Sequence, residues 1–186
     1  MTSKFEFTKD NNKLAQEEIA KYPEGRHKSA VMGLLHIAQD QNGGWISSDC
    51  LDYIARYLEI APIRVYEVAT FYSMYNLKPV GKYHLQVCGT TPCMLRGAKK
   101  IIEICRHELG IEVGETDKER MFTLSEVECL GGCANAPVVQ INNDYVEDLD
   151  QKNFKKILDD LKSGKLIKIG SQIGRRASEP KGYKVK

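Results

Sequence analysis

Two cysteine pairs, each set among small residues, constrain this chain of 186 residues more than any other feature. Cys88 and Cys93 stand in "VCGTTPCML", a C-x4-C step, and Cys129 and Cys133 stand in "VECLGGCANAPVVQIN", a C-x3-C step. Each pair follows a strand-like run, "KYHLQVC" in the first case and "RMFTLSEVEC" in the second. Both pairs are therefore expected on loops at strand ends, where a sheet brings distant residues together. Gly89, Gly131 and Gly132 permit close backbone approach, so that amide N–H groups can point at sulfur. Cys93 is expected just inside a helix that Pro92 opens, where the helix dipole would depress a thiol pKa.

What such thiols do depends on their compartment. The segment "MTSKFEFTKDNNKLAQ" has neither the apolar stretch of a signal peptide nor the Arg-rich, acid-poor character of a transit peptide. No apolar run approaches the roughly 20 residues of a membrane-spanning helix. The expectation is a cytoplasmic chain, in which spaced cysteines more often hold metal or do redox work than form disulfides. Four thiolates from two loops are the ligand set of a [2Fe–2S] cluster, which would be anionic and would gain negative charge on reduction. A structural zinc site would use the same four thiolates, although zinc motifs more often begin C-x2-C. Two disulfides and unligated core thiols complete the alternatives. A thioredoxin-type dithiol needs C-x-x-C, which is absent. Cys50 and Cys105 stand singly on helical patterns and are read as core or surface thiols. His27, His36, His84 and His107 are scattered. No nucleotide-binding glycine motif and no catalytic triad is legible, so the chain would carry electrons singly and leave hydride chemistry to another chain.

Periodicity divides the chain into an α+β arrangement. A helical part, 1–80, holds expected helices over about Asn12–Tyr22, Arg26–Gln41, a segment capped by Ser47 or Ser48, and Pro62 to about Met74. From residue 81 to 164 the order is β-α-β-β-β-α. One helix from Pro92 carries Leu95, Ala98, Ile101, Ile102, Cys105 and Leu109, and a closing helix carries Phe154, Ile157, Leu158 and Leu161. Residues 165–186 hold seven Lys/Arg against one acid, while residues 1–164 hold 20 against 24. This last stretch is read as a basic, extended tail with no core of its own.

With these residues in view, the chain resembles the thioredoxin-like [2Fe–2S] subunits of the NADH dehydrogenase module of respiratory complex I, the bacterial E subunits. "CGTTPC", "CLGGCANAP", "VYEVATFYSMY" and "GRRASEPKG" carry the resemblance. It implies an N-terminal four-helix part followed by a thioredoxin-like [2Fe–2S] ferredoxin domain, with Cys88, Cys93, Cys129 and Cys133 holding one [2Fe–2S] cluster. It also implies docking on an FMN- and NADH-binding subunit and on the large iron–sulfur subunit of an NADH:quinone oxidoreductase. The chain would lie in the cytoplasm, peripheral to the inner membrane, with no membrane insertion and no nucleic-acid partner. Its cluster would hold one electron beside the FMN rather than pass it to quinone. Related subunits of NAD-linked hydrogenases and formate dehydrogenases share the cysteine pattern. On this resemblance the basic tail becomes an arm along the flavin subunit. The aromatics Tyr66, Phe71, Tyr72 and Tyr75 are read as interdomain core, with a partner-facing share as the alternative because apolar residues occupy more than one stripe, and Ala136–Pro137 is expected to be cis.

Overall fold

The computed structural model describes residues 5–177, which form two compact units that part between Val80 and Gly81. In the first unit come α1 (Lys9–Ile19), α2 (Val31–Gln41), α3 (Ser48–Tyr57) and α4 (Pro62–Phe71). Local chemistry explains their starts. The Thr8 and Ser47 hydroxyls accept from the backbone amides of Asn11 and Cys50, and Pro62 occupies the first turn of α4, where no amide is needed. Leu34, Leu35 and Ala38 of α2 meet Leu51, Ile54 and Ala55 of α3 and Val65 and Ala69 of α4 in one core.

Two expectations for this unit need correction. The stretch before α2 is a separate 3-10 turn, His27–Ala30, rather than the first turns of one helix. Helix α4 stops at Phe71 because the chain beyond it is recruited by α2. The Tyr75 hydroxyl donates to the Met32 carbonyl and the Asn76 amide donates to Gln39 Oε1. The expected core aromatics consequently divide. Tyr75 is buried and Tyr66 is half-buried, while Phe71 is 79% exposed and Tyr72 is exposed as well.

The second unit holds β1 (Tyr83–Cys88), α5 (Thr91–Leu95), α6 (Ala98–Leu109), β2 (Phe122–Val127), β3 (Val139–Ile141), β4 (Asp144–Glu147), α7 (Gln151–Lys162) and β5 (Gly170–Ser171). The sheet order is β2-β1-β3-β4-β5, with β1 parallel to β2, β4 parallel to β5, and antiparallel pairs between β1 and β3 and between β3 and β4. Leu85, Val87, Phe122, Leu124, Val139 and Val146 from the strands pack with Ile101 and Cys105 of α6 and Phe154, Ile157, Leu158 and Leu161 of α7. Burial of each large apolar side chain contributes about 1.5–3 kcal/mol. Asp150 and Asn153 form a reciprocal capping box at the start of α7, and Gly164, at φ +68°, follows its end. The Ala136–Pro137 peptide is cis.

The single helix expected from Pro92 is two. Gly97, at φ +106°, breaks it, and Leu95 is left 75% exposed instead of joining the apolar stripe. The last strand also departs from the sequence reading. Gly170–Ser171 of the expected tail add a strand to β4, and Ile167 packs on the core. Residues 178–186 of that tail lie outside the described residues.

Two expected results follow from this packing. A Cβ at Gly81 would lie 2.8 Å from the backbone N and C of Phe122, and the Gly81 amide donates to Thr123 Oγ1 at 2.6 Å. Gly81→Ala is expected to force β1 from β2 and cost about 1–3 kcal/mol. A urea midpoint unchanged from the parent chain would contradict this. His84 is buried beneath Ser125, with Nε2 2.8 Å from its Oγ, and burial pushes its pKa down to about 4. Between that value and its ordinary one, the folded chain binds fewer protons than the unfolded chain. His84 therefore contributes stability that is complete above pH ~6.5 and is lost as pH falls toward 4. The parent chain is expected to lose about 2 kcal/mol more than His84→Gln between pH 7 and pH 4.5. Parallel urea profiles over that range would refute it.

Candidate metal centre

Parallel pairing of β1 and β2 builds the site. Cys88, the last residue of β1, lies opposite Val127, the last residue of β2, so the chain leaves both strands at the same edge of the sheet. Cys129 comes two residues after Val127, level with the loop that Cys88 begins. The Gly89 amide donates to the Val127 carbonyl and the Cys88 amide to the Val138 carbonyl, tying the first loop to both segments that flank the second. Cys93 lies in the first turn of α5, and Cys133 opens a 3-10 turn, Cys133–Asn135. Gly131, at φ +83°, allows the reversal between Cys129 and Cys133.

The four thiols form two close pairs that interact across the loops. Cys129 and Cys133 are exposed, with their sulfurs 3.4 Å apart. Cys88 and Cys93 are buried, and each shifts the other's pKa. The Thr90 hydroxyl lies 3.3 Å from the Cys88 sulfur, and it also lowers the pKa of Cys129. The Leu130 amide, from the second loop, favours the thiolate of Cys88. Among the described residues no group of three or more His, Cys, Asp or Glu side chains is gathered to hold one metal ion.

Charge on these sulfurs is set by burial and by amides. Burial alone would push the Cys88 thiol up. The Thr90 hydroxyl, the amides of Leu130 and Thr90, and the Cys93 thiol outweigh it and leave Cys88 below its ordinary value. Cys93 is pushed up to about 11, by burial first and then by Cys88 and Cys133, against the single amide of Val138. The expected depression at the helix start is thus reversed, because a five-residue helix offers less than burial takes away. The Gly131 amide, 3.4 Å from the sulfur, lowers Cys129 most, followed by the Cys133 thiol and Thr90. Cys133 is raised, by its bond to Cys129 first, then by burial and the neighbouring sulfurs. Each loop therefore holds one thiol lowered and one raised from the ordinary value.

The loop around Cys129 and Cys133 is buttressed from β4. The Tyr145 hydroxyl donates to the Leu130 carbonyl at 2.8 Å, and Asn135 Nδ2 donates to Glu147 Oε2 at 2.7 Å. Sequence reasoning passed over Thr90, Tyr145, Asn135 and Glu147. Thr90 could have been found from its place inside the first cysteine loop. Tyr145 and Glu147 carry no local signal, since only the β3–β4 register brings them to the site. Cys50 and Cys105 are core thiols. Cys50 rests on Ser47 Oγ at 3.2 Å, and burial pushes Cys105 up to about 12.

Comparisons with known proteins agree on one family. The sequence model of the thioredoxin-like [2Fe–2S] ferredoxin matches residues 15–162. The E subunit of the NADH-quinone oxidoreductase of Rickettsia felis is 54% identical over 160 residues, covering 86% of this chain and 96% of its own. The mitochondrial NADH dehydrogenase [ubiquinone] flavoprotein 2 of Dictyostelium discoideum is 49% identical over 179 residues, covering 96% of this chain and 72% of its own. Among solved structures, an NAD+-reducing [NiFe]-hydrogenase in the air-oxidized state aligns with a TM-score of 0.62 at 17% identity. That alignment covers 71% of this chain and 23% of the hydrogenase chain, a likeness of fold.

Proposed function

Because the chain belongs to the thioredoxin-like [2Fe–2S] ferredoxin family, we propose that it is the [2Fe–2S] electron-transfer subunit of an NADH:quinone oxidoreductase. In this reading Cys88, Cys93, Cys129 and Cys133 hold the cluster. The observation that carries it is that two thiol pairs lie on loops leaving one sheet edge, in a chain so similar to the E subunits of such oxidoreductases. The donor set fits. A two-iron centre takes two protein ligands on each iron, and each loop offers a pair of sulfurs. When bound, the cluster supplies a site for one electron at a time. The chain's part is to hold it and answer its negative charge. The amides of Leu130 and Thr90 aim at Cys88, that of Val138 at Cys93 and that of Gly131 at Cys129. Burial of Cys88 and Cys93 keeps water from one side of the centre, and exposure of Cys129 and Cys133 leaves the other side open.

The assembly follows from the same reading. FMN and NADH are bound by a partner subunit, and a large iron–sulfur subunit completes the module. In this reading attachment to the inner membrane is peripheral, through the complex; no helix among the described residues is long and apolar enough to cross a membrane. Residues 1–80 serve as a four-helix part, 81–164 as the cluster domain, and 165–186 as a basic extension. The hydrogenase likeness speaks for fold alone, whereas the oxidoreductase relatives match across most of the chain.

Anaerobic reconstitution tests the ligand reading. About two irons and two sulfides per chain are expected, with visible absorption and a paramagnetic signal on one-electron reduction. A colourless chain holding one zinc would refute it. Affinity capture from native cells is expected to bring down a flavin subunit together with membrane subunits. A nickel-containing partner would move the chain to a hydrogenase.

A further inference from the structure

One face of β4 is directed at the cysteine loop. Val146 points into the core, while Tyr145 and Glu147, on the other side of the strand, reach the two ends of the turn that carries Cys129 and Cys133. Tyr145 does so as a neutral donor to Leu130. Glu147 does so as a carboxylate, and its hydrogen-bond partner is the neutral side-chain amide of Asn135. Asn135 is itself buried and its Oδ1 has no hydrogen-bond partner, so its side-chain amide is held on Glu147 alone, while its backbone bonds Gly132 and Asp148. The other carboxylate oxygen of Glu147 lies 3.8 Å from the place a Cβ would occupy on Gly132, directly behind the sulfur-bearing turn. The backbone of Glu147 is also fixed, its carbonyl accepting from the Gln172 amide. A charge held at the edge of a protein interior acts on neighbouring charge more strongly than one free in water.

We propose that the Glu147 carboxylate, held by Asn135, sets a negative charge behind the Gly131–Gly132 turn and so lowers the reduction potential of the cluster. The inference rests on the four-cysteine reading above. Physical reasoning gives its direction. The cluster bears about −2 when oxidised and about −3 when reduced, so a nearby anion disfavours the added electron more than it disfavours the oxidised state. Glu126 provides an internal comparison. Its carboxylate lies over Gly89 of the first loop, where a Cβ would meet Oε1 at 2.2 Å, but Glu126 is exposed and water screens it.

The test is potentiometry followed by electron paramagnetic resonance on the reconstituted full-length chain and on E147Q and E126Q. Glutamine keeps an acceptor for Asn135 and removes only the charge. E147Q is expected to keep its iron content and absorption and to shift the one-electron equilibrium about tenfold toward the reduced form. E126Q is expected to shift it by less. An unchanged equilibrium in E147Q with the spectrum intact overturns the proposal, as does an E126Q shift as large as that of E147Q. Loss of the cluster in E147Q overturns it too, because the carboxylate would then be a strut for the loop rather than a charge. Failure of the parent chain to take up a cluster would fall on the four-cysteine reading, before any variant is compared.

Discussion

Replacing Cys133 with alanine is expected to remove the visible absorption of the reconstituted chain, while Cys105→Ala leaves it intact. The contrast is chemical, since both positions are thiols. Cys133 is exposed at the start of a short turn, so its replacement should cost no more than about 0.5 kcal/mol of folding stability. Loss of colour would then reflect a missing ligand rather than an unfolded chain. Cys105 is fully buried on α6, and burial holds its proton so firmly that the thiol behaves as a small apolar group. Its truncation leaves a small void and a modest loss of stability, with the four other sulfurs undisturbed. Equal loss of iron in both variants would sink the ligand assignment. Far-ultraviolet circular dichroism on the same samples separates misfolding from failure to bind.

Arg175→Ala is expected to destabilise the second unit by up to about 3 kcal/mol, because it strands a buried carboxylate. The Asp148 side chain is 2% exposed, pairs with Arg175, and accepts from Ser171 Oγ at 2.6 Å. Its backbone amide donates to the Asn135 carbonyl, so the same residue touches the turn that begins at Cys133. Without the guanidinium, the carboxylate keeps one hydroxyl partner. The cost has a ceiling, since β5 can peel away and let water reach Asp148. Hydrogen exchange at the Gln172 amide, which donates to the Glu147 carbonyl, is therefore expected to accelerate alongside the fall in urea midpoint. Arg175→Lys keeps the charge without the planar fork and should fall between the two. Unchanged exchange and an unchanged midpoint would show that the ion pair contributes nothing to holding this segment.

The Arg175 result bears on the least legible part of the chain. Charge and composition mark residues 165–186 as a basic extension, and nothing in them announces a strand. Gly170–Ser171 have no β propensity to speak of, and they become a strand only because β4 offers an unpaired edge. In the same way Asp148, acidic and beside a turn, reads as a surface residue until Arg175 and Ser171 arrive from the far end of the unit.

Much of the rest was written locally. The apolar spacing and caps of α3 and α7, the proline that starts α4 and the glycine after α7 depend on residues within a turn of one another, which is why they could be read in order along the chain. The spacing of the two cysteine pairs, and their places just after strands, were legible for the same reason. That both loops leave the sheet at one edge was decided by the parallel register of β1 and β2, which sets Cys88 opposite Val127 across 39 positions of sequence. Burial then raised Cys93 against the helix start, the break at Gly97 separated α5 from α6, and strand alternation on β4 brought Tyr145 and Glu147 behind the loop. Sequence by itself marked the two cysteine pairs and most of the helical segments, because those depend on short-range spacing. Tertiary structure alone decided strand partners, burial and the charges around the sulfurs, because these arise only when segments remote along the chain exclude water together.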